Sequence, residues 1–364
     1  MRDLLVGSTG FVGGNLMAAH PFAAACHSTD IAAQFGSEPD LCVYAGVPAA
    51  MFLANADPEA DLAVMRGARE NLRRIAPKAV ALISSIAVYA DSRGKTEEDD
   101  PEGPGLSAYG RNRLQLERWV REDFPDALIV RLPALYGRGL RKNFLYDLHT
   151  IAPSMLKPDK YQELAAKSPL VREGYTLADN GFYKQNGRGD AAALRGFFAG
   201  NDWNALAFTD SRSRYQFYPL ARLWTDLTRA RAAGLKLLNL APEPVAAAKV
   251  YTAVTGRDDW ENILPAPPFD YDLRSRHAEL LGGQGGYLCT AGQELDESVR
   301  RCRFCFRPAT LAGPRNTTRL SMLRCRRPVL PGWRLRRPAS FRRRRMTTSV
   351  RPCCLAATCT KNTA

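Results

Sequence analysis

Short, predominantly apolar runs punctuate the first two thirds of the chain, at positions 4–6, 41–45, 80–84, 128–132 and 237–240. Each ends in a glycine, serine or proline-bearing segment, and the runs are continuous rather than alternating. Between them lie stretches whose apolar residues recur at helical spacing, notably 61–75 and 111–122. Strands apolar on both faces and separated by helical periods predict a parallel sheet covered on both sides.

From about position 140 the pattern loosens. Residues 157–204 are polar, aromatic and interrupted by single glycines, which suits an insertion or a separate lobe. A strand-to-helix pattern resumes in "SRYQFYPLARLWTDL", another strand follows in "KLLNLAPEPV", and the prolines of "LPAPPFDYDL" predict an open loop. The organisation expected is a sheet-forming part over 1–140, with 205–245 returning to it, and a smaller lobe made of 141–204 and 246–297.

Charge changes the picture only at the end of the chain. The net charge is +14, yet from Ser298 onward there are 17 arginines, one lysine and no Asp or Glu. The remaining 33 basic residues face 37 acidic ones, so residues 1–297 carry about −4. That body gives no electrostatic reason to expect nucleic acid as a partner. Residues 298–364 read as a disordered Arg/Cys-rich tail without apolar periodicity, and the abrupt onset suggests a shifted reading frame. Within it Cys302-x-x-Cys305 has half of a zinc-site spacing, with no second pair to complete it. The four histidines are scattered, so no metal is expected. No run approaches the roughly 18 apolar residues of a membrane helix, and no leader-like segment precedes the first strand. A cytoplasmic chain with reduced thiols is the expectation, with no membrane partner.

Candidate chemistry begins in "LLVGSTGFVGGNL", where Gly7, Gly10 and Gly13 follow an apolar strand and open a helical pattern. A helix amino terminus gathers free N–H groups and positive dipole, and glycines let a pyrophosphate approach without meeting a Cβ. In that context the loop predicts a dinucleotide cradle involving Gly7, Thr9, Gly10, Phe11, Val12 and Gly13. Ala45, Gly46, Ser84, Ser85 and Pro133 also fall at the carboxyl ends of predicted strands, the edge of an open parallel sheet where ligands bind.

Three further stretches, "LISSIAVYADS", "SAYGRNRLQLERW" and "VRLPALYGRG", together with the G-x-x-G-x-x-G loop, resemble the extended short-chain dehydrogenase/reductase family, the NAD-dependent epimerases/dehydratases. The resemblance implies an α/β, Rossmann-type doubly wound parallel sheet with a smaller C-terminal substrate lobe. It implies an NAD(P)-dependent epimerase, dehydratase or reductase acting by hydride transfer on a sugar, nucleotide sugar or small hydroxyl/carbonyl compound. Tyr109 falls on the family's catalytic tyrosine and Ser85 on its serine. Arg113 stands where the family usually has lysine. A cation there favours the phenolate and reaches the cofactor ribose, but arginine does not readily relay a proton. Cofactor contacts are expected from the glycine loop, Ser28, Ala45, Gly46, Ser84, Tyr109, Arg113 and Pro133.

Ala134 occupies a position where many sugar-nucleotide members carry a substrate-binding Asn. Asn143 lies near enough in sequence to contribute instead, beside Ser85. Arg212, Arg214 and Tyr215 would bind an anionic substrate group or else form a solvated strand edge. The second strand ends in His27, Ser28 and Thr29 before Asp30, a pattern compatible with either NAD or NADP. The partners expected are thus a small-molecule substrate and the dinucleotide, with a homodimer left open. The alternative reading is a non-catalytic NAD(P)-binding sensor or scaffold, which Arg113 keeps alive; nucleic-acid binding through the tail ranks last.

Overall fold

The computed structural model describes residues 2–27 and 29–296. The expected tail at 298–364, with Cys302 and Cys305, lies outside the described residues, as does Ser28. Five strands, β1 (Asp3–Val6), β2 (Ala24–Cys26), β3 (Leu41–Tyr44), β4 (Val80–Ser85) and β5 (Leu128–Leu132), are joined by a sixth at Leu237–Asn239. All pair in parallel, in the spatial order Leu237–Asn239, β5, β4, β3, β1, β2. The chain moves outward from β1 to β2, then returns past β1 to β3. Strand order therefore reverses at β1 and β3, which opens a crevice at their carboxyl ends. This is the parallel sheet that the apolar runs predicted, in the doubly wound Rossmann-type arrangement that the family resemblance implied.

Both faces of the sheet are covered. On one, Leu5, Val43 and Val130 pack with Leu16 of α1 (Phe11–Ala19) and with Leu223 and Leu227 of the Leu223–Ala232 helix. On the other, Leu4, Val6 and Leu82 meet α3 (Pro58–Ile75), which follows the short α2 (Met51–Ala56), and α4 (Ala108–Asp123) through Met65, Leu72, Leu116 and Val120. Successive strand side chains point to opposite faces, so Leu4 and Leu5 belong to different layers. Each such side chain, fully buried, stabilises the fold by about 1.5–3 kcal/mol.

Helix starts follow their caps. α3 begins at Pro58, three residues before the predicted period, because Asp57 accepts a bond from the Ala60 amide at 3.0 Å and proline fits the first helical position. Ser107 likewise caps α4 through the Gly110 amide at 3.1 Å.

Residues 155–199 hold more regular structure than their composition suggested. Met155–Leu156, Tyr175–Leu177 and Tyr183–Gln185 form a small antiparallel sheet. Helices at Pro158–Lys167, Pro169–Gly174 and Ala191–Ala199 pack on it around Leu156, Leu164, Val171 and Phe198. The Phe217–Pro219 strand pairs in parallel with Ala134–Tyr136, outside the central sheet. No described helix is long and apolar enough to cross a membrane.

Candidate functional site

The glycine loop lies at the switch point. Gly7 has φ +92° and takes its amide to the Cys26 carbonyl at 2.8 Å. An added Cβ there would stand 2.5 Å from the Ala45 carbonyl oxygen, so Gly7 lets the β1 and β3 ends meet at Ala45 and Gly46. A Cβ on Gly13 would collide with the Gly7 carbonyl, which makes Gly13 the residue that seats α1 on the loop. Gly10 differs from both: its Cβ would meet only the Gly7 oxygen, at 3.3 Å. Gly10 is also the residue capping α1, with no side-chain bond to the first-turn amides and no acidic residue in that turn. The amino end of α1 therefore keeps donors and positive dipole for an anion. Thr9 is exposed on the turn, while Phe11 and Val12 are partly buried against the core beneath it.

A second device holds the loop 137–139 against α1. Buried Asn15 donates to the carbonyls of Phe11 (2.8 Å) and Arg138 (2.9 Å) and accepts from the Arg138 amide (3.0 Å). Nothing in the glycine pattern pointed to Asn15; its signal was a lone amide among the apolar residues of the first helix.

Ser85 ends β4 and caps the short turn Ile86–Val88, its Oγ accepting from the Ala87 amide at 3.2 Å. A Cβ on Gly110 of α4 would strike the Ala87 carbonyl, so the helix bearing Tyr109 packs directly on the turn that follows Ser85. Tyr109 is buried, and its amide donates to Asn55 Oδ1 at 2.9 Å. Pro133 is buried at the next strand end. Gly7, Ala45, Gly46, Ser85 and Pro133 thus line the carboxyl edge of the sheet, with Tyr109 on the helix packed behind the Ser85 turn.

The remaining candidates are drawn into the protein's own interactions. The Arg113 guanidinium lies 3.7 Å from the centroid of the Tyr109 ring. It is ion-paired with largely buried Asp61 and donates to the Pro48 carbonyl at 2.6 Å, while its Nε is buried without a partner. Ser84 donates to Glu117 at 2.5 Å, and Glu117 is held by Arg131 at 2.6 Å, all beneath the sheet edge. Burial opposes the Arg131 charge, but the Glu117 carboxylate outweighs it and raises its pKa. Asn143, with φ +95°, spends its amide on the Leu135 carbonyl (2.7 Å) and the Tyr146 amide (3.3 Å). Arg212 pairs with Asp210 at 2.7 Å, and Arg214 with Asp270 at 3.2 Å. At the end of β2, Asp30 accepts from the His27 amide at 2.7 Å, and Thr29 bonds the His27 ring at 2.6 Å.

Lys142 was not anticipated. Its ammonium reaches across to the Ala49 carbonyl at 2.5 Å and ties the loop after β3 to the segment that opens α5 (Phe144–Thr150). Burial lowers its pKa.

Residues 1–157 match the family model of the RmlD substrate binding domain. This bears out the family resemblance read from the glycine loop and the serine and tyrosine motifs. No curated protein matches the sequence. Among solved structures, a dTDP-4-dehydrorhamnose reductase from Yersinia enterocolitica is 14% identical with a TM-score of 0.55, over 82% of this chain and 99% of that one. RMD from Pseudomonas aeruginosa, complexed with NADPH, is 18% identical with a TM-score of 0.53, over 82% and 98%. A UDP-glucose 4-epimerase from Thermotoga maritima with UDP-glucose is 12% identical with a TM-score of 0.51, over 84% and 99%. These chains share the fold.

Proposed function

We propose, from an amino-terminal part that matches the RmlD family model, that the protein is an NAD(P)-dependent oxidoreductase or epimerase acting on a nucleotide-linked sugar. The observation that carries this reading is the α1 amino terminus, uncapped and opened by Gly10 at the switch point of the sheet. The residues there fit a dinucleotide: the first-turn amides of α1 would hold its pyrophosphate, and Gly10 leaves the room a Cβ would fill. When bound, the nicotinamide supplies or accepts a hydride.

The chain's own contribution is the proton and the positioning. Tyr109 is the candidate acid/base at the substrate oxygen. Ser85 uses its oxygen lone pair on Ala87, and among the described residues no acceptor takes its hydroxyl hydrogen. That hydrogen remains to be donated to the same substrate oxygen. Arg113 keeps a cation against the Tyr109 ring but shares its charge with Asp61. Substrate names printed for similar proteins, dTDP-4-dehydrorhamnose and UDP-glucose, supply the class. Asn143, Arg212 and Arg214 are engaged within the fold, so as substrate contacts they would first have to exchange a partner.

The reading is tested by titrating the full chain with NADPH and NADH and following 340 nm absorbance with a panel of dTDP- and UDP-linked 4-keto sugars. Saturable cofactor binding with substrate-dependent oxidation supports it. Absence of dinucleotide binding overturns it. Arg113's engagement with Asp61 favours one second reading, a dinucleotide-binding sensor, for which binding without turnover of any panel member is the expected outcome.

A further inference from the structure

At the opposite, amino-terminal edge of the sheet lies a cavity of about 450 Å³ that the dinucleotide crevice does not include. Its lining comes from the start of β1 (Asp3), from the segment after α1 (His20 and Pro21) and from the outer half of the Leu223–Ala232 helix (Trp224, Thr228 and Arg231). The volume falls within the roughly 300–1,000 Å³ of small-molecule sites.

Its groups are unequally satisfied. The Asp3 carboxylate accepts the Ala23 amide at 2.8 Å and bonds His20 Nε2 at 2.5 Å, so it has no remaining need of a cation. His20 in turn stacks on Trp224, ring centroids 3.9 Å apart and planes at 12°, and Phe22 meets the same indole edge-on at 5.1 Å. The aromatic wall is therefore fixed before anything binds. Thr228 turns its hydroxyl back to the Trp224 carbonyl. Arg231 is the exception. It is half-buried, burial lowers its pKa, and among the described residues it has neither an ion pair nor a side-chain hydrogen bond. A half-buried guanidinium without a partner is free to take an anion, and its planar fork matches a carboxylate in two parallel bonds.

We propose that this cavity is a second ligand site, distinct from the dinucleotide crevice, that takes a small planar aromatic carboxylate, with the carboxylate on Arg231 and the ring against Trp224 and Leu227. A monoanion suits it better than a phosphate dianion, because the Asp3 carboxylate stands in the same lining and most of the remaining wall is apolar. The inference stands apart from the proposed function, since Asp3 opens β1 whereas Gly7 follows its far end.

Benzoate is the probe. Calorimetric titration of the full chain is expected to give one saturable site, unchanged when NADPH is present at saturation. Arg231→Met should weaken benzoate at least about tenfold, the factor set by losing one charge-assisted pair. Thr228→Trp, which fills the cavity from an exposed position, should abolish it, while both variants keep the wild-type melting temperature and NADPH affinity. No saturable heat, affinity unchanged in Arg231→Met, or displacement by NADPH would each overturn the proposal. The last of these would place benzoate in the dinucleotide crevice instead.

Discussion

Arg113 and Asp61 form a buried ion pair between α4 and α3, with their side chains only 4% and 10% exposed. The partners are 52 residues apart, and the same guanidinium also holds the Pro48 carbonyl at 2.6 Å. One arginine thereby fastens the loop after β3 to the helix that carries Tyr109. Removing one member of such a pair strands the other charge in a low-dielectric site, which typically costs about 3–5 kcal/mol. Asp61→Ala should therefore lower the melting temperature by many degrees, whereas Arg113→Lys should lower it only modestly. Lysine keeps a cation for Asp61, but its single ammonium cannot serve Asp61 and Pro48 with the fork geometry of arginine. Thermal unfolding of the two variants beside wild type checks the ranking; a wild-type melting temperature in Asp61→Ala would mean the pair contributes nothing.

The glycines of the loop separate ligand binding from packing. Gly10→Val adds bulk where only the Gly7 oxygen lies within reach, so the fold should persist while NADPH binding is lost. Gly13→Ala drives a Cβ into the Gly7 carbonyl, so it should destabilise the protein with or without cofactor. Melting curves and NADPH titrations on both variants read the two effects independently. Wild-type NADPH affinity in Gly10→Val would move the cradle elsewhere.

Why some of this was legible and some was not has a physical basis. The strands showed as apolar runs because a sheet buried on both faces leaves no polar side to alternate with, and the edge residues Gly7, Ala45, Gly46, Ser85 and Pro133 followed from where those runs stop. Asp61 was not legible, because an ion pair between two helices leaves no local spacing. Arg131 interrupts an otherwise apolar run, and only its pairing with Glu117 on α4 explains how β5 tolerates it. The sequence places Ser84 at the ligand edge along with Ser85, yet adjacent strand residues point oppositely, and Ser84 turns to Glu117. The small sheet at 155–185 has strands of two and three residues, too short to display any period.

Stability should respond to pH through two neighbours on α5. Burial raises the Asp147 pKa to about 7, so the folded protein holds its carboxyl proton where the unfolded chain has lost it. That contribution is fully present below the ordinary value of 3.8 and is lost as pH rises toward and through 7. His149 runs the other way. Burial, with Arg195 assisting, lowers its pKa to about 4, so its contribution is present above 6.5 and is lost as pH falls toward 4. Asp147→Asn, which cannot ionise, is expected to raise the melting temperature at pH 8 relative to wild type and to leave it nearly unchanged at pH 4. His149→Gln should reduce the loss of stability between pH 6.5 and 4. Melting curves across pH 4–8 test both, and parallel profiles for all three proteins would show that neither group is coupled to folding.

The proposed function assigns the proton step to Tyr109, and the packing around it decides how its removal is to be interpreted. Gly110 brings α4 onto the Ala87 carbonyl, two residues beyond Ser85, and Asn55 holds the Tyr109 amide, so the backbone position of the phenol does not depend on its hydroxyl. Tyr109→Phe therefore deletes the proton donor while leaving the ring that Arg113 covers. NADPH binding and melting temperature are expected to hold, and turnover on the proposed nucleotide-linked sugar should fall by roughly two to four orders of magnitude, the usual contribution of general acid–base catalysis. Ser85→Ala should cost less, because it removes one hydrogen bond to the substrate oxygen and also uncaps the Ile86–Val88 turn. Solvent isotope effects give an independent readout: a proton transfer from Tyr109 slows in deuterium oxide in the wild type, and that dependence should change in Tyr109→Phe. An unaltered rate in Tyr109→Phe would remove the phenol from the chemistry and leave Ser85 without its proposed partner.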